Sequence, residues 1–161
     1  MSAERAHASF RGVSQLNLDA KGRIVIPTRY RSILTESCQG QVVITVDSDP
    51  CLLLYPLPEW EKIQQTLTSL PNLDAQTRQL QRLLLGYASD CEMDGHGRIL
   101  LPPTLRGAAR LEKRICLVGQ GNKFELWDEQ TWDKVSEHAK KLLARDNHEQ
   151  PLPEPLRSLS I

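Results

Sequence analysis

Apolar residues in this chain fall in short aliphatic runs rather than long helical stripes, and the runs recur. Ile24-Val25-Ile26, Val42-Val43-Ile44-Thr45-Val46 and Cys51-Leu52-Leu53-Leu54-Tyr55 are followed later by Ile99-Leu100-Leu101, Ile115-Cys116-Leu117-Val118 and Lys123-Phe124-Glu125-Leu126-Trp127. Aliphatic and β-branched runs of this length, bounded by glycine, proline and aspartate, predict β-strands. The first run of each set ends at Pro27 or Pro102. Proline tolerates the first turn of a helix, which predicts short helices over 28–34 and 104–109. Asp47-Ser48-Asp49-Pro50 and Gly119-Gln120-Gly121-Asn122 have the chemistry of hairpin turns. After each hairpin the apolar spacing becomes helical: Trp60, Ile63 and Leu67, then Trp132, Val135 and Leu142. Residues 72–85 also read as a helix, with Leu73, Leu80 and Leu84 on one face.

These recurrences amount to an internal duplication. Asp19-Ala-Lys-Gly-Arg-Ile-Val-Ile-Pro27 is answered by Asp94-Gly-His-Gly-Arg-Ile-Leu-Leu-Pro102, and Arg31 by Arg106. Trp60 and Ile63 correspond to Trp132 and Val135. One copy holds roughly 50 residues, too few to bury a core easily, so the two should share one around a pseudo-two-fold axis. The organisation expected is an N-terminal extension over 1–12, a first repeat over 13–60 and linking helices over 61–88. A second repeat over 89–132 follows, then a helix and proline-rich tail over 133–161. Pro151, Pro153 and Pro155 make the end of the chain a flexible or docking tail.

Composition narrows the class. The 161 residues are 40% hydrophobic and 25% charged, as in a soluble globular protein. No apolar run approaches the ~20 residues of a membrane helix, and the polar opening lacks a signal-peptide core, so a cytoplasmic protein is expected. Net charge is zero, but the charges are segregated. Residues 11–35 hold Arg11, Lys21, Arg23, Arg29 and Arg31 against Asp19 alone, whereas residues 36–70 are predominantly acidic. One face can therefore be basic in a neutral chain. Cys38, Cys51, Cys91 and Cys116 form no C-x-x-C pair, and no metal or cofactor is expected. His96 beside Asp94 and Cys91 is a weak metal candidate, since the first copy has Lys21 at the His96 position and no matching cysteine. Neither a P-loop nor a G-x-S-x-G motif is present, nor a nucleophile–base constellation, so no enzymatic activity or catalytic residue is expected.

Asp-x-x-Gly-Arg-Ile-x-x-Pro followed by a basic helix resembles the AbrB/SpoVT swapped-hairpin DNA-binding fold. The tandem arrangement, Phe10-Arg11-Gly12, Tyr55-Pro-Leu-Pro-Glu-Trp60, Gln81-Arg-Leu-Leu-Leu-Gly86 and Asn122-Lys-Phe-Glu-Leu-Trp127 resemble the MraZ family more closely. The resemblance runs from about Phe10 to Lys134. It implies a mostly β, α+β fold: two tandem swapped-hairpin units forming a pseudo-two-fold β-barrel with helices outside. It also implies a nucleoid-associated transcriptional regulator that binds double-stranded DNA as a homo-oligomer, in a ring. The DNA would be repeated promoter boxes upstream of a division and cell-wall gene cluster that includes its own gene. The family's Asp-x-x-x-Arg signature matches Asp19 with Arg23 and Asp94 with Arg98. The chain departs from the family in its extension before Phe10 and in His96, which replaces the lysine of the first copy.

The residue chemistry fits that implication without requiring it. Arg23 and Arg98 follow glycine turns, where a guanidinium can pair with guanine or clamp phosphate. Lys21 would act as a phosphate point charge, and Arg11, Arg29 and Arg31 could continue the basic face. The alternative is an ion pair bracing each turn. For Asp19 and Asp94 a turn-organising role is favoured, because an acid repels phosphate; Gly22 and Gly97 are backbone devices in either case. Tyr55, Trp60, Trp127 and Trp132 are expected in the core rather than stacked on bases. Two functions compete: a promoter-binding repressor, and an antitoxin-like interaction or scaffold oligomer. No small-molecule effector and no membrane partner are evident.

Overall fold

The computed structural model describes residues 9–144 and 153–159. The N-terminal extension up to residue 8, Pro151 and the end of the tail lie outside the described residues. The first copy runs β1 (Val13–Asn17), β2 (Arg23–Val25), α1 (Thr28–Cys38), β3 (Gln41–Val46), β4 (Leu52–Pro56) and α2 (Leu57–Ser69). After α3 (Ala75–Leu84) the second copy runs β5 (Ser89–Glu92), β6 (Arg98–Leu100), α4 (Pro103–Ala108), β7 (Arg114–Gly119), β8 (Phe124–Asp128) and α5 (Glu129–Leu142). The chain divides into two compact units, Met1–Glu129 and Gln130–Ile161. The second holds nearly all of α5 and the single helical turn α6 (Glu154–Arg157).

The strands form a six-stranded sheet in the order β1-β7-β8-β4-β3-β5 and a separate two-stranded ribbon of β2 and β6, antiparallel throughout. Exchanging each strand for its counterpart in the other copy returns the same order. The first strand of each copy pairs with the other copy: β1 with β7, and β5 with β3. The ribbon likewise takes one strand from each, with Ile24 opposite Ile99 at its centre. A closed barrel is not found. Closure would need edge strands β1 and β5 to gain further partners, whereas β2 and β6 spend their ladder hydrogen bonds on each other.

The core lies where the copies interlock. Ile24, Ile26, Ile99 and Leu101, the inward residues of the ribbon strands and their continuations, are fully buried. They join Leu34, Ile44, Leu52, Leu54, Leu105, Ile115, Leu117 and Leu126 in one cluster. Phe10, Tyr30 and Phe124 pack ring on ring, with Phe10 4.2 Å from Phe124 and Tyr30 4.9 Å from Phe124. Tyr55, Trp60 and Trp127 are buried as expected, but Trp132 on α5 is half-buried.

Helix α4 lies one residue earlier than expected, and two other helices differ more from their expected bounds. Helix α1 continues beyond residue 34 to Cys38, because Gln39 and Gly40 are the residues that take positive φ, and their amides close onto the Thr35 and Leu34 carbonyls. Helix α3 begins at Ala75 rather than at residue 72: Asp74 caps it by accepting from the Thr77 amide at 2.8 Å. Leu73 is left outside the helix and 88% exposed.

Candidate nucleic-acid interface

Each ribbon strand is entered through a tight turn whose geometry follows from an aspartate and a glycine. In the first, Asp19 Oδ1 accepts from the Lys21 and Arg23 amides at 2.9 and 2.8 Å, and Oδ2 accepts from Arg23 Nε at 2.8 Å. In the second, Asp94 Oδ1 accepts from the His96 and Arg98 amides, both at 2.9 Å, and Oδ2 from Arg98 Nε at 2.7 Å. Hydrogen bonds from the amides and guanidinium hold both carboxyls below the ordinary carboxylate range, Asp94 at about 2. The turn and its arginine are thus one assembly. Each arginine spends Nε on its aspartate and keeps both terminal nitrogens unengaged among the described residues.

Gly22 and Gly97 adopt φ of 82° and 78°, a region costly for any residue with a Cβ. They also lie beneath a guanidinium from the opposite copy. Arg106 of α4 covers Gly22 and donates to the Leu101 carbonyl; Arg31 of α1 covers Gly97 and donates to the Ile26 carbonyl. The Ile26 amide donates to the Gly97 carbonyl and the Leu101 amide to the Gly22 carbonyl, at 2.7 and 2.9 Å. Arg31 therefore serves the second turn, not its own. Arg106, named in the sequence only as a repeat position and not as a candidate contact, serves the first. The repeat itself could have found it, since Arg106 is the counterpart of Arg31.

The ribbon between the turns has one buried and one open face. Ile24 and Ile99 point inward, so period-two alternation turns Arg23, Val25, Arg98 and Leu100 outward. In the register Arg23 lies opposite Leu100, and Arg98 opposite Val25. The outward face is a checkerboard of two arginines and two aliphatic residues. Lys21 and His96 occupy corresponding exposed positions on the two turns. The first turn gathers Lys21, Arg23 and Arg106; the second gathers His96, Arg98 and Arg31.

The other expected basic residues sit elsewhere. Arg29 donates to Ser14 Oγ at 2.6 Å and stacks over the Tyr30 ring at 4.7 Å, and Arg11 presents its carbonyl to the Tyr30 hydroxyl. Both lie by the start of β1, at the opposite end of that strand from the Asp19 turn. Glu92 on β5 pairs with Gln41 on β3. Asp47, Cys51 and Glu125 have donor atoms within 4.8 Å of one another. Burial pushes the Cys51 thiol well above its ordinary range, and its S–H faces Asp47 at 3.6 Å. Glu125 instead accepts from Trp127 Nε1 at 3.1 Å.

A family model described as "MraZ protein, putative antitoxin-like" matches the chain twice, over residues 9–83 and 84–151. The chain belongs to the MraZ family. The MraZ match covers both copies, and each matched segment contributes one turn and one ribbon strand. A protein named transcriptional regulator MraZ from Thioalkalivibrio sulfidiphilus is 66% identical over 125 residues, 78% of this chain and 83% of the relative. A namesake from Methylococcus capsulatus is 58% identical over 125 residues, 78% of this chain and 82% of its own. One from Yersinia pestis is 54% identical over 153 residues, 94% of this chain and 99% of its own. No helix among the described residues is long and apolar enough to cross a membrane.

Proposed function

We propose that this MraZ-family chain is a sequence-specific, double-stranded-DNA-binding transcriptional regulator that engages the major groove with the β2–β6 ribbon. The observation that carries the reading is the exposed ribbon face, where Arg23 and Arg98 are each oriented by a carboxylate and keep their terminal nitrogens available. A major groove about 12 Å wide admits a two-stranded ribbon, and a guanidinium pairs bidentately with guanine. Lys21, Arg106 and Arg31 flank the ribbon as phosphate contacts, which position the protein without specifying sequence. Arg11 and Arg29 extend the basic surface at the start of β1. The names of the relatives support the same reading.

Beyond single-site binding, the chain acts as a homo-oligomer, in a ring, on repeated promoter boxes. These lie upstream of a division and cell-wall gene cluster that includes its own gene, and occupancy represses by blocking polymerase. A ring gains by avidity when box spacing matches subunit spacing. The exposed Leu80 and Leu83 on α3 offer an apolar surface for subunit contact. The protein would then reside in the cytoplasm, on the nucleoid. A second reading is a scaffold that binds another protein, favoured by the family's antitoxin-like description.

Titration against DNA from upstream of its own gene, beside shuffled DNA of equal composition, separates the two readings. Tight, salt-sensitive binding to the native fragment alone is expected, because phosphate neutralisation releases counterions. Arg23→Ala should weaken it by ~1–3 kcal/mol with circular dichroism unchanged. A folded protein that binds neither fragment would favour the scaffold reading.

A further inference from the structure

The ribbon presents more than arginine. Val25 and Leu100 are 44% and 56% exposed on the same outward face. A single exposed aliphatic residue needs no explanation, but these two are repeat counterparts. Both copies keep an aliphatic side chain here, although other exposed positions diverge: Lys21 becomes His96, and Arg29 becomes Thr104. Strand propensity accounts for valine but not for leucine, and the core gains nothing from either, because Ile24 and Ile99 already fill the inward face.

We propose that Val25 and Leu100 are specificity-determining residues that contact thymine 5-methyl groups in the major groove. This rests on the ribbon being the DNA-reading surface. The thymine methyl is the one apolar group on the major-groove edge of the base pairs. Each aliphatic side chain lies directly across the ribbon from an arginine, Leu100 from Arg23 and Val25 from Arg98. Opposed side chains on paired strands are about 5 Å apart, and successive base pairs about 3.4 Å. An arginine and its aliphatic partner therefore reach bases one or two steps apart. Removing either methyl partner exposes apolar surface that binding had covered, about a fourfold loss of affinity per methyl group.

The test uses the full chain and a duplex it enriches from a random library. Each thymine of that duplex is replaced in turn by deoxyuridine, which deletes only the methyl group. At one or more positions the wild type should bind about fourfold more weakly. Leu100→Ala or Val25→Ala should bind the thymine duplex more weakly than the wild type and be indifferent to the same replacement, while the arginines opposite them still leave a salt-sensitive preference over shuffled DNA. Val25→Thr keeps a β-branched side chain and one γ-methyl, so it guards against a disturbed ribbon and should retain part of the deoxyuridine penalty that Val25→Ala loses. An enriched site without thymine, deoxyuridine tolerated everywhere, or an equal penalty in wild type and variants would overturn the inference alone. Failure of the folded protein to bind any duplex would overturn it together with the ribbon's role in DNA binding.

Discussion

Asp94 accepts three hydrogen bonds from two residues of its own turn, and its depressed pKa ties that turn to pH. The folded value, about 2, lies below the ordinary 3.8. Its contribution to stability is therefore fully present above the ordinary value and is lost as pH falls through the folded one. Asp19 shifts in the same direction. Denaturant unfolding followed between about pH 5 and pH 2 should show the wild type losing stability more steeply than Asp94→Asn; parallel curves would place the acid sensitivity elsewhere. Gly97 is the second residue-level constraint. Alanine there meets both the positive φ and the Arg31 guanidinium. Gly97→Ala should cost about 1–2 kcal/mol in unfolding free energy for the backbone alone, and should weaken DNA binding if Arg31 is displaced. The Asp–Gly–Arg pattern was legible residue by residue, because such turns are closed by local hydrogen bonds. The crossing of Arg31 to the other turn was not, because nothing local in the chain records it.

Among the elements, six strands matched their expected runs closely, since aliphatic runs and turn residues mark both edges, whereas β1 and β5, with the mixed sequences VSQLN and SDCE, carry no such run and were not anticipated. Helix ends did not, because caps decide them: Asp74 starts α3, and Gln39 with Gly40 stops α1. The seat of α3 depends on two side chains that reach backbone. The buried Thr45 hydroxyl on β3 donates to the Leu84 carbonyl at 2.7 Å, and Gln81 Nε2 donates to the Leu67 carbonyl of α2 at 2.8 Å. Thr45→Val keeps the shape and strands that carbonyl, so it should destabilise by about 1–3 kcal/mol. Thr45→Ser should recover most of the loss in thermal unfolding. Equal stability of the valine and serine variants would mean that water replaces the hydroxyl.

Over the whole molecule, neither copy is a separable domain. β1 needs β7, β5 needs β3, and the ribbon needs one strand from each. A chain ending near residue 70 would leave Ile24, Ile26 and Ile44 without the Ile99, Leu101 and Leu117 that share their cluster. The first copy expressed alone is therefore expected to be unfolded by circular dichroism, or to appear as a dimer by light scattering with one copy in each role. A folded monomer would contradict the interlocked core. The same interlock places Lys21 and His96 on corresponding turns of one surface, so the surface carries one permanent cation fewer on the second side.

The sequence by itself determined the duplication, the six aliphatic strand runs and the chemistry of each turn, because these rest on local spacing and on side chains that bond within a few residues; β1 and β5 are strands through the partners they find in the other copy. Only the tertiary structure decided that the strands make an open sheet and a ribbon instead of a closed barrel. It alone brought Arg106 to the first turn, moved Arg11 and Arg29 to the far end of β1, and turned Val25 and Leu100 outward beside the arginines. Those outcomes depend on which strand finds which partner across some 75 residues, and pairing of that range is settled by the shared burial of both copies, not by any one segment.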